Sequence, residues 1–122
     1  MMNWYIARFV YQIVLPNAAG APQFDEQVRL VRADEAAWAW EKAHVLGRLG
    51  ECTLENENNQ SVQWKFVGVT NMYPLHDLAD GAELFSDTWH PANGEEFLHT
   101  AQLQVQKAKG LLLDGEKSRL AC

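Results

Sequence analysis

Apolar side chains recur at every second position from Trp4 to Leu15. The odd positions Tyr5, Ala7, Phe9, Tyr11, Ile13 and Leu15 are all apolar or aromatic, whereas the even ones mix Trp4, Ile6 and Val10 with Arg8 and Gln12. A period of two is the signature of a strand, because successive side chains point to opposite sides of a sheet. The later strand from Ser61 to Tyr73, with Val62, Trp64, Phe66 and Gly68 on one face and Val67 and Val69 following Gln63 and Lys65 on the other, adds that both faces of the sheet are at least partly covered. Pro16 and Asn17, with Gly20 and Pro22, end the ladder and turn the chain, since proline lacks a donor and glycine accepts positive φ.

A second strand is predicted over Phe24 to Ala33, with Phe24, Val28 and Leu30 toward the core and Asp25, Gln27 and Arg29 toward solvent. Glu26 is the exception on the apolar side. Asp34 then offers an N-cap oxygen to a helix over about residues 35 to 46, with Glu35 favoured by the dipole in its first turn. Ala36, Ala39, Trp40, Ala43, Leu46 and Gly47 form one face suited to lying close on a sheet, with Trp38 and Val45 elsewhere. Asn56 to Asn59 is turn chemistry between a short segment at Thr53 to Glu55 and a long strand from Ser61 to Tyr73, an expected hairpin. Asn93 followed by Glu96 resembles a capping box, and Phe97, Ala101, Val105 and Ala108 continue at helical spacing, ending near Gly110.

The order strand, strand, helix, strand, strand, helix predicts an α+β fold with a mostly antiparallel sheet of about four strands. One helix is expected on one face, and the C-terminal helix or a second subunit on the other. Residues 1–90 form the core, and 91–122 a C-terminal helix and polar tail of the same domain. On the second face Ile6 and Val10 are expected to join Val67 and Val69. Four branched residues left in water would forgo roughly 1.5–3 kcal/mol each relative to full burial. That surface and the Trp38–Val45 helix face are the candidate interfaces.

Sixteen acidic against ten basic residues, a net charge of −6 in 122 residues, repel polyphosphates and anionic headgroups, so neither nucleic acid nor membrane is an expected partner. No stretch approaches the roughly 18 apolar residues of a membrane span. The opening apolar run is short, broken by Gln12 and strand-like, which argues against a secretory signal. Two cysteines, Cys52 and Cys122, make neither a disulfide framework nor a metal-knuckle spacing, and fit a reducing cytoplasm.

Chemistry is thinly marked. His76, Asp77, Asp80, Glu83, Asp87 and His90 cluster in an irregular stretch, but no HExxH, EF-hand spacing, paired CxxC, GxSxG elbow or phosphate-cradling glycine loop accompanies them. A solvated acidic loop with a turn at Asp80-Gly81 is a plainer reading of them than a metal site. Glu26 is sharper, because a carboxylate on an apolar face needs a partner; a structural ion pair, or an edge position where it reaches solvent, is the plainer reading, and a general acid or base the alternative. No metal and no cofactor is implied, and no catalytic residue stands out.

Trp4-Tyr5, Phe24-Asp25-Glu26, Glu35-Ala36-Ala37, Glu55-Asn56, Val62 to Val69 and Asp80-Gly81-Ala82-Glu83 together resemble a bacterial family, the domain of unknown function 4288, over about residues 4 to 86. The resemblance implies a small stand-alone cytoplasmic protein and supplies no activity or ligand. It makes Glu26, Trp64, Asp80 and Glu83 the candidate polar site. The leading expectation is a non-enzymatic interaction module, a homodimer or the binder of a basic bacterial protein, of the inhibitor or immunity kind. The alternative is a small-ligand or metal-dependent enzyme or sensor using Glu26, Glu83 and the loop from His76 to His90.

Overall fold

The computed structural model describes residues 2–16, 20 and 22–114. Its elements run β1 (Asn3–Val14), β2 (Gln23–Ala33), α1 (Ala36–Leu49), β3 (Cys52–Glu55), β4 (Ser61–Leu75) and α2 (Gly94–Asp114). All neighbouring strands are antiparallel, in the order β2-β1-β4-β3, so the longest alternating segment of the sequence is a central strand. The α+β class and the ββαββα order follow as the sequence predicts. The chain forms two compact units, one through Leu84 and one from Phe85.

The inner face carries the core. Tyr5, Ala7, Phe9 and Tyr11 of β1 are buried beside Val31 and Ala33 of β2 and Trp64 and Val69 of β4. Ala39, Ala43 and Gly47 bring α1 down on them, because small residues let the helix backbone approach the sheet. Trp40, expected on that face, is exposed and lies against His44 at 4.5 Å between rings. At the helix end a Cβ on Gly47 would run into the Phe66 ring, and one on Gly50 into the Tyr11 hydroxyl. The buried Tyr11 hydroxyl donates to the Gly47 carbonyl at 2.7 Å, so it satisfies one of the carbonyls the helix end leaves over.

Cap details differ from the expectation. Glu35, not Asp34, is the N-cap of α1, with no side-chain cap bond, and the Asp34 carbonyl accepts from Asn3 Nδ2 at 3.2 Å. At α2 the Asn93 side chain does cap, accepting from the Glu96 amide at 3.1 Å, but the helix runs past Gly110 to Asp114. Glycine inside a helix costs only about 1 kcal/mol, which neighbouring helix formers absorb. The hairpin loop is as expected: Asn56 Oδ1 accepts from the Asn58 and Gln60 amides at 2.9 Å each, and Asn59 takes the left-handed conformation at φ 58°.

The long strand β4 is not a simple alternation. Its register against β1 slips between Arg8 and Phe9 and again between Val10 and Tyr11, leaving Thr70 and Val67 without a Cα partner on β1. Each bulge switches the side-chain parity. Trp64, Phe66, Val69 and Met72 therefore stand opposite Ile13, Tyr11, Phe9 and Ala7 on the inner face, spaced two, three and three apart. Val69, expected on the outer face, is 8% exposed in the core, while Val67 is 60% exposed.

Candidate interaction surface

Pairing sets the two faces of β2. Tyr5, Ala7, Phe9 and Tyr11 stand opposite Val31, Arg29, Gln27 and Asp25, so the odd residues of β2 lie on the inner face with the core. The even ones, Phe24, Glu26, Val28, Leu30 and Arg32, lie on the outer face opposite Gln12, Val10, Arg8, Ile6 and Trp4. This reverses the orientation expected from hydrophobicity. Only Val31 and Ala33 of β2 are buried, near α1, while Phe24, Val28 and Leu30 are 58%, 57% and 48% exposed.

Three polar residues tolerate the inner face because they satisfy one another. Arg29 donates from Nε at 3.0 Å and also from a terminal nitrogen to Gln27 Oε1, and Gln27 Nε2 donates to Asp25 Oδ2 at 2.7 Å. The Arg29 guanidinium also lies 4.9 Å over the Phe9 ring, a cation–π contact. Positive charge at one end and negative at the other make a short, half-buried polar ladder along β2. Burial pushes the Tyr11 phenol above its ordinary value; Arg29 opposes that shift, and Glu51 and Asp25 add to it.

The outer face over the same strands is mixed, with Ile6, Val10, Phe24, Val28 and Leu30 among Arg8, Gln12, Glu26 and Arg32. Ile6, between Leu30 and Tyr73, is buried at 3% and Val10 is half-buried. The Tyr73 hydroxyl donates to the Leu84 carbonyl and ties the segment after β4 back to its strand. Arg32 lies 5.4 Å over the exposed Trp4 ring. A hollow at the far end, between Val14, Pro16, Thr53, Ser61 and Gln63, contains no charged side chain.

The other anticipated positions scatter. Trp38 and Val45 are exposed on α1. Trp64 is buried on the inner face opposite Ile13, so it cannot share a site with Glu26, which is exposed on the outer face two strands away. Asp80 and Glu83 are exposed near a turn in which the Ala82 amide donates to the Ala79 carbonyl at 3.0 Å. Among the described residues no three of His, Cys, Asp and Glu converge to hold a metal ion. No described helix is long and apolar enough to cross a membrane. Cys52, half-buried on β3, is not a free thiol, which removes the argument from lone cysteines to a reducing compartment; Cys122 lies outside the described residues.

With the fold in place, the sequence model of the family described as domain of unknown function (DUF4288) matches residues 4–86, and the chain belongs to that family. The match spans all four strands and α1. No curated protein and no solved structure matches the chain.

Proposed function

We propose that the protein is a non-enzymatic interaction module that acts as a homodimer or through a bacterial protein partner, using the outer sheet face on the β2 side. The observation that carries this reading is the row Phe24, Val28 and Leu30, each about half exposed on a strand whose other face holds the core. Large apolar side chains exposed together on an ordered sheet, here broken by Glu26 alone, favour a surface that a partner covers. The net charge of −6 favours a basic partner where that partner is not a second copy. Light scattering of the purified chain, alone and with candidate partners, tests the reading. Leu30→Lys should weaken association while leaving the melting temperature nearly unchanged. An association-free wild type, or a Leu30→Lys variant that binds as well as wild type, would contradict it.

A further inference from the structure

Among the described residues the β2 strand ends the sheet on one side. Its eleven residues contain no proline and no glycine, and its pairing with β1 runs from Asn3↔Ala33 to Ile13↔Gln23 without a bulge. Edges are protected by shortening, bulges, proline or charged side chains, and of these β2 carries only charges, at Asp25, Glu26, Arg29 and Arg32. Among the described residues no strand pairs with its outer side, and a straight edge of this length is a template for the strand whose charges complement its own.

We propose that β2 pairs with β2 of a second copy, antiparallel about a two-fold axis at Gln27, joining two four-stranded sheets into one. This deepens the interaction reading, on which it rests, by naming the partner and the register. The argument is charge complementarity. The inner-face ladder reads acidic, neutral, basic along the strand at Asp25, Gln27 and Arg29. Turned antiparallel about its own centre, such a ladder is its own complement: Asp25 faces Arg29 of the partner, Gln27 faces Gln27, and Arg29 faces Asp25. Opposite charges directly across a strand pair stabilise it, and like charges destabilise it.

Other two-fold registers do worse. Centred on Glu26 the strand sets Glu26 against itself, and centred on Val28 it pairs Asp25 with Val31 and Arg29 with Gln27 and forms no opposite-charge pair. Centred on Arg29 it sets two guanidinium groups together and needs pairing through Arg32, whose carbonyl already accepts from Lys42 Nζ at 2.8 Å. Centred on Gln27 the paired stretch stops at Val31, short of that contact. The same register places Phe24 opposite Leu30 of the partner on the outer face, with Glu26 opposite Val28 between them, so the two exposed rows adjoin. A two-fold contact of this kind is self-complementary and closes, giving a dimer and not a fibre.

Charge reversal tests the register. Asp25→Arg and Arg29→Asp should each weaken the dimer roughly tenfold or more by placing like charges opposite one another at both symmetric pairs. The double variant should restore it, because the ladder then reads basic to acidic and is again its own complement. Circular dichroism and melting of each variant separate loss of pairing from loss of fold. Because the swaps also disturb contacts within the chain, Gln27→Cys supplies an independent readout: under mild oxidation it should cross-link to its symmetry mate, and Gln23→Cys should not. A folded double variant that remains monomeric, or a Gln27→Cys chain that cross-links no faster than Gln23→Cys, would overturn the edge pairing. If either result comes with a wild-type dimer that Leu30→Lys dissociates, the interaction reading stands and only the edge pairing falls.

Discussion

The two borders of the sheet are built in opposite ways. On the far side, β3 is four residues long, so much of β4 has no outer neighbour, yet that strand carries two bulges, Gly68 and Pro74. The Glu51 carboxylate closes the gap just past β3 by accepting from the Phe66 amide at 3.0 Å. On the near side, β2 is straight and full-length, with an apolar row on one face and a self-satisfied polar ladder on the other. The proposed pairing uses the border that carries no bulge, glycine or proline.

The contrast can be broken most severely where the bulges do their packing. Val69 reaches the core opposite Phe9 only because the two bulges reset the parity of β4, so Phe9→Ala should cost about 3–5 kcal/mol by denaturant unfolding. Gly47→Ala should cost about 1–3 kcal/mol, since its new methyl must displace the Phe66 ring that sits beside the same border. Glu51→Ala should cost about 0.5–1.5 kcal/mol and leave the Phe66 amide open, sharpening the contrast by creating a second free border; a rise in apparent mass would report it. Changes on β2 should do the reverse, with Val28→Lys altering stability by less than about 0.5 kcal/mol while lowering the apparent mass.

The smallest effect is a pH effect. Burial holds the Tyr11 phenol above the ordinary tyrosine value in the folded chain, so folding favours its neutral form. Its contribution is fully present below that value and is lost as pH rises through the raised folded value. Ultraviolet titration should show a late phenol ionisation coupled to unfolding that Tyr11→Phe removes. A titration curve whose alkaline end is the same in wild type and Tyr11→Phe would contradict the burial.

Much of this architecture was legible in the chain. Alternation locates β1 as a strand, though not its central place in the sheet, Asn56 to Asn59 locate a hairpin, and the small residues of α1 locate the face that meets the sheet. The orientation of β2 was not legible, because hydrophobicity assigns Phe24, Val28 and Leu30 to the covered side. Two facts of assembly override it: the register against β1, and a helix that buries only the Val31–Ala33 end of β2. The inner polar residues are legible as a ladder only once they are known to share a face. Glu26 loses its anomaly for the same reason, since its face is open. The bulges of β4 had one available signal, a glycine inside a strand, and without a partner strand it cannot say which valine turns inward.

Residue-resolved hydrogen exchange, compared between dilute and concentrated protein, tests the central claim most directly. The account predicts that concentration slows exchange at amides within Gln23 to Val31 and leaves those along the β4 border unchanged. Protection that ignores concentration, or that grows along β4 while β2 stays as it was, would contradict it.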